Sequence, residues 1–320
     1  MINPSDVSIV FCANNGYKWT KLAIDSFKHT NPDYKDSVIL FNDNWSLAKY
    51  LKNDVSKILT WKNRARPEDM LKRVGEMYQE CAEQIDTKYI CFIDNDTISF
   101  ENNWLSNYLN EMIRDNARIY SGVCFNRENI HYDKNEYFKL KNIYAKEMDE
   151  DIGKITRLHY FCIILDHEYF KTNWNINGYL GHEEYYSDNG AIDIGTEFYY
   201  FCKKNNIKII EKDADDIGQD ALVHVTPNPN NPLSNSFLIE DGVKQLNNAV
   251  VYVLFYTLNG TQKAIEVCKE IGFNFTKEYK KILDERDVFP SFVKELNHCL
   301  KRKEYNKFLW EQYDEFSKLL

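Results

Sequence analysis

The chain has 320 residues, of which 43% are hydrophobic, 15% aromatic and 28% charged. That is enough apolar material for a sizeable core, and it excludes a disulfide-stapled mini-protein and wholesale disorder. With 40 Lys and Arg against 49 Asp and Glu the net charge is −9, which excludes a surface built throughout to hold polyphosphate or anionic lipid. The longest apolar stretch, Ala249 to Leu258, is about half of what a bilayer crossing needs, so no integral membrane span is expected. Met1 to Asp6 carry no basic charge ahead of the short run Val7 to Ala13, which is not the pattern of a secretory leader. The eight cysteines stand singly, mostly inside apolar runs and with no Cys-x-x-Cys. Reduced core thiols and a cytoplasmic location follow as expectations.

In chain order, the apolar run Val7 to Cys12 predicts a strand, Thr20 to His29 a helix stopped by Asn31-Pro32, and Val38 to Phe41 a second strand. Ile58 to Trp61 is an ambiguous stretch. Arg66-Pro67-Glu68-Asp69 opens a helix predicted to run to about Gln84, with proline near its first position and acids in its first turn. Tyr89 to Ile93 is a fully apolar strand whose end carries Asp94-Asn95-Asp96. Further strands are predicted at Ile119 to Phe125, His159 to Leu165, Ile207 to Ile210 and Ala221 to Val225, with a helix from Ile194 to Asn205. This alternation predicts an α/β fold with a mainly parallel sheet flanked by helices. Thr226-Pro227-Asn228-Pro229-Asn230-Asn231-Pro232 can continue neither helix nor central strand and marks the expected boundary. The division is then 1–232 for a catalytic domain and 233–320 for a helical C-terminal subdomain, in which acids and bases balance.

An apolar strand ending in Asp-x-Asp sets two carboxylates at the rim of a sheet, where ligands of α/β proteins bind. Hard cations such as Mn²⁺ or Mg²⁺ prefer such oxygen donors and can bridge a diphosphate, which makes Asp94 and Asp96 candidate metal ligands. The bland alternative is a turn that ends a strand.

Three pieces of the first hundred residues, Val7–Tyr17, Val38–Asp43 and Tyr89–Ile98, resemble the opening strand, second strand and metal motif of GT-A-type glycosyltransferases. The wording Ala13-x-x-x-Tyr17 and Asp-Asn-Asp-Thr-Ile leans toward the glycogenin and galactosyltransferase-like branch. The resemblance implies a Rossmann-like GT-A sheet and transfer of a sugar from a nucleoside-diphosphate sugar to an acceptor hydroxyl, with Mn²⁺ or Mg²⁺ as cofactor. It would assign Ala13, Asn14, Tyr17 and Asp43 to the donor nucleoside, Asp94 to donor and metal, and Asp96 to metal. Arg66, Lys72 and Arg73 flank the start of a helix, where cations and backbone N–H groups could meet phosphate.

By the same resemblance Asp193, with Glu197 behind it in Asp193-Ile-Gly-Thr-Glu197, is the acid facing the acceptor. It could accept or orient the hydroxyl proton, or serve only as the helix N-cap. His224, in the apolar segment Leu222–Val225, occupies the place of the family's metal-ligating histidine. A hydrogen-bonded core histidine is the alternative. The polar segment His182-Glu183-Glu184 with Asp188 could touch an acceptor sugar. The Thr226-Pro-Asn-Pro that follows departs from the branch's phosphate-binding motif. Two other classes stay open: a haloacid-dehalogenase-like phosphatase, which also opens its site with strand and Asp-x-Asp, and a nucleotide-sugar-binding protein without catalysis. The acidic catalytic domain favours a glycan, lipid-linked or protein acceptor over nucleic acid.

Overall fold

The computed structural model describes residues 2–13, 17–42, 45–60, 74–95, 97–126, 155–173, 186–187, 190–191, 195–213, 218–219, 221–224, 263 and 266–272. The chain divides into two compact units.

The first unit comprises residues 1–17, 31–95 and 103–215. Its frame is a seven-stranded sheet made from β1 (Val7–Ala13), β2 (Val38–Asn42), β3 (Lys57–Thr60), β4 (Tyr89–Asp94), β6 (Ile119–Asn126), β7 (Ile155–Asp166) and β10 (Ile209–Asp213), in the order β10-β6-β7-β4-β1-β2-β3. β1 pairs in parallel with β2 and β4, β2 with β3, and β10 with β6, while β7 runs antiparallel to both of its neighbours. The mainly parallel sheet expected from the alternation of elements is the sheet observed, with β7 as the one reversed strand of the seven. β1 and β2 are buried along their whole length, as strands covered on both faces must be, which explains their continuous Val, Ile and Phe runs.

On one face the alternate residues Val10 and Cys12, Ile39 and Phe41, and Ile90 and Phe92 share a core with helical residues. α3 (Val74–Glu83) contributes Tyr78, Cys81 and Ala82, the i, i+3, i+4 stripe of an amphipathic helix. α5 (His167–Asn173) and α6 (Thr196–Lys204) add Phe170, Phe198 and Cys202 to the same core. α2 (Trp45–Leu51) packs against β2 and α4 (Trp104–Arg114) against β6. α4 and α6 end alike, with Asn116 and Asn206 at φ 50° and 54°. In each, a six-residue backbone bond closes the turn, from Ala117 N to Met112 O and from Ile207 N to Cys202 O, both at 2.8 Å. A two-stranded ladder, β8 (Tyr186–Ser187) with β9 (Gly190–Ala191), also lies in this unit.

The second unit comprises residues 18–30, 96–102 and 216–320. It contains almost all of α1 (Tyr17–Thr30) and a three-stranded antiparallel sheet with the order β11 (Gly218–Gln219), β12 (Leu222–His224), β5 (Thr97–Ser99). Ser99 ties β5 to α1: its N–H donates to Ser26 Oγ at 3.1 Å and its hydroxyl pairs with Thr30 Oγ1 at 2.6 Å. Residues 266–270 are helical. Glu270 meets His29 at 2.7 Å, and Lys263 pairs with Glu101. The expected boundary at the proline-rich segment 226–232, and most of the helical tail from 233, lie outside the described residues. So does the predicted start of the helix at Arg66, whose described part begins at Val74.

Candidate functional site

The carboxyl ends of four parallel strands make one rim of the first unit. The register sets Ala13 of β1 beside Asn42 of β2, Asn42 beside Thr60 of β3, and Cys12 of β1 beside Asp94 of β4. Ala13 and Asn42 are each 3% exposed, so the rim is packed right up to its last residues. Of the residues assigned to a nucleoside, Ala13 therefore stands on this rim. Asn14 and Asp43 lie outside the described residues, one position beyond the ends of β1 and β2. Tyr17 is the first residue of α1.

Asp94 is the last residue of β4 and half-buried, not the first residue after the strand as the sequence pattern suggests. Period-two alternation carries it onto the face already occupied by Ile90 and Phe92, the face that α3 covers. There Tyr78 Oη donates to Asp94 Oδ1 at 3.1 Å. The phenol belongs to a buried aromatic cluster, with ring centroids 5.0 Å from Phe92 and 4.9 Å from Tyr160, both edge-on. Burial first, then the negative charge of Asp94, pushes the Tyr78 phenol well above its ordinary pKa. Its proton stays on oxygen and the bond runs from phenol to carboxylate. Burial likewise raises the neighbouring Cys12 thiol, with Cys81 and Asp94 adding to the effect. It is a protonated core cysteine and not a nucleophile. Tyr78 is absent from the set of candidates read from the sequence, because a tyrosine in an apolar helical stripe gives no sign that its hydroxyl has work to do.

Asp96 lies outside the described residues, between Asn95 and the first residue of β5. Within the second unit, Thr97 pairs with His224, Ile98 with Val223 and Ser99 with Leu222 in an antiparallel ladder. The backbone of His224 is thereby fixed directly opposite the residue that follows Asp96. Antiparallel pairing thus joins two segments that are far apart in the chain. Among the described residues no group of three His, Cys, Asp or Glu side chains is gathered for a metal.

On the acceptor side the sequence reading allows Asp193 to be the cap of the following helix. In the structure the cap is Gly195, two residues later, with φ 95°. Its carbonyl accepts from Leu158 N at 3.2 Å and from Tyr199 N at 3.0 Å, so one oxygen joins β7 to the first turn of α6. A Cβ at this position would lie 2.2 Å from Leu158 O, so this backbone approach requires glycine. Asp193 precedes this anchor and lies outside the described residues. Glu197 is in the first turn of α6. Arg66, Lys72, Arg73, His182 to Glu184 and Asp188 also lie outside.

A cavity of about 650 Å³ opens at the amino ends of the strands, lined by Ser8, Ile39, Lys57, Thr87, Lys88 and His167 among others. It is at the opposite end of the sheet from Asp94, and its lysines are matched by Asp6, Asp86 and Glu168. No helix among the described residues is long and apolar enough to cross a membrane.

No family model and no curated protein matches the chain. Among solved structures it is similar to a mannosyltransferase from Pyrobaculum calidifontis in complex with GDP-Man and Mn²⁺, at 9% identity, covering 98% of this chain and 86% of that one, with a TM-score of 0.44. It is similar to core-mannan synthase A from Aspergillus fumigatus in a Mn/GDP form, at 10% identity, covering 55% and 63%, with a TM-score of 0.40. It is also similar to a cytidylyltransferase from Leptospira borgpetersenii, at 11% identity, covering 88% and 98%, with a TM-score of 0.41. The chain spans less than two thirds of the fungal synthase's length.

Proposed function

We propose that the protein is a metal-dependent glycosyltransferase that moves a sugar from a nucleoside-diphosphate sugar to an acceptor hydroxyl. The observation that carries this reading is the position of Asp94. It ends a buried parallel strand beside β1, on the rim where α/β sheets bind ligands, and its carboxylate is held by a tyrosine from the covering helix. A carboxylate at such an edge, followed two residues on in the chain by a second acid, offers hard oxygen donors. That set suits Mn²⁺ or Mg²⁺.

In this reading Asp94, Asp96 and His224 hold the ion. Ala13, Asn14, Tyr17 and Asp43 seat the nucleoside, while Arg66 and Arg73 face the phosphates. A bound divalent cation would supply positive charge against that gathering on the departing diphosphate. The work of the chain is then to orient the two ends of the reaction. Asp193, or Glu197 in the first turn of α6, takes up or directs the proton of the attacking hydroxyl. Gly195 fixes the start of α6 against β7 so that this acid is presented from a rigid helix entry. The acceptor favoured by the acidic charge is a glycan, lipid-linked or protein hydroxyl.

The test is Asp96→Ala, assayed with a panel of UDP- and GDP-sugars, GDP-mannose included. Expected is loss of Mn²⁺-dependent donor binding and of sugar transfer, with the circular dichroism spectrum unchanged. Turnover at the level of the unaltered protein would refute the assignment.

A further inference from the structure

Within the first unit, Tyr78 does two separable things. Its ring fills a core position between Phe92 and Tyr160, and a phenylalanine would pack there equally well. Its hydroxyl is spent on Asp94 Oδ1, at 3.1 Å. An O–H carried into an apolar core costs free energy unless it finds a partner. At this position the partner is the acid at the rim. Tyr78 is itself only 3% exposed and is fixed by α3 through the same stripe that buries Cys81 and Ala82, so the donor cannot swing away.

We propose that Tyr78 is a positioning residue for Asp94: its hydroxyl fixes the rotation of the carboxylate so that Asp94 is preorganised to take a divalent cation. This rests on the reading of Asp94 as a metal ligand. The chemistry is that of an outer-shell donor. Left alone, a carboxylate at the end of a strand turns about its side-chain bonds and loses that freedom on binding a metal. A buried phenol that occupies one oxygen imposes the order beforehand, and it holds the carboxylate without adding a competing charge.

Three variants separate this from a packing role: Tyr78→Phe, Asp94→Asn and Phe92→Leu. The last disturbs the same aromatic cluster but leaves the hydroxyl in place. The readout is the affinity for Mn²⁺ alone, from the loss of the free-ion electron paramagnetic resonance signal, with the thermal midpoint of the metal-free protein measured beside it. Expected for Tyr78→Phe is a drop of about 10- to 100-fold in Mn²⁺ affinity. Asp94→Asn should abolish binding, and Phe92→Leu should lower the thermal midpoint with the affinity unchanged. If Asp94→Asn abolishes binding while Tyr78→Phe leaves it unchanged, the positioning role is overturned and the metal reading stands. If Mn²⁺ affinity falls in step with thermal stability in both Tyr78→Phe and Phe92→Leu, the effect is packing and the proposal fails. If Asp94→Asn binds Mn²⁺ as before, the reading beneath the proposal fails with it.

Discussion

At the scale of single residues, burial decides which groups can carry charge. His167, 1% exposed at the start of α5, has its pKa lowered, chiefly because burial disfavours the imidazolium. Its Nδ1–H donates to the Thr87 carbonyl at 3.1 Å, which fixes the tautomer. A depressed histidine pKa means that the unfolded chain binds the proton more readily than the folded one. Folding stability is therefore full above the unfolded value of 6.5 and falls as pH drops from there through the lower folded value. The expected slope is at most about 1.4 kcal/mol per pH unit for this one group. Urea unfolding at pH 7 and pH 5 should show it, and His167→Gln, which keeps a donor for Thr87, should flatten it. The neighbouring Asp166, 3% exposed, is matched by the Arg118 guanidinium at 2.6 Å, and that cation also lies 4.3 Å from the Tyr169 ring. The pair joins the ends of β6 and β7 to α5.

At the scale of elements, the entry into α6 leaves no room for a side chain. The helix begins where Gly195 passes under β7, in a backbone conformation open to glycine and against a carbonyl that leaves no room for a side chain. Gly195→Ala combines a left-handed backbone with a steric clash, and a cost of about 3 kcal/mol or more in unfolding free energy is expected. Chemical denaturation measures this directly. If the acceptor-side acid is presented by this helix, kcat should fall more than donor affinity in any Gly195→Ala protein that folds. A substitution of similar cost in β2, such as Leu40→Ala, should lower stability without that kinetic split.

At the scale of the whole molecule, a ligand that binds only the folded chain raises its stability by mass action. A nucleoside diphosphate with Mn²⁺ at about a hundredfold over its Kd should add about 2.7 kcal/mol. Thermal-shift screening of UDP, GDP and CDP, each with and without Mn²⁺, should give an upward shift for one base that EDTA reverses. An equal shift for all three, untouched by EDTA, would argue against metal-bridged diphosphate binding.

Much of the frame was legible in the sequence, because strand and helix are written locally. Apart from Ser8 and the terminal Asn42 and Asp94, the β1, β2 and β4 runs are apolar, as strands buried on both faces must be, and Asp-x-Asp stands out against them. β5 was not legible, being only three residues long, whereas α4, for which the sequence reading has no helix, does carry a local signal in the helical spacing of Trp104, Leu105, Tyr108, Leu109 and Met112. What only tertiary structure decided is who meets whom. That β7 runs against its neighbours, that His224 registers on Thr97, that Gly195 meets Leu158 of β7, and that Tyr78 reaches Asp94 are all contacts between separate elements of the chain. Composition and periodicity fix which face a residue takes, whereas pairing depends on how separate segments pack, and that is set by the core as a whole.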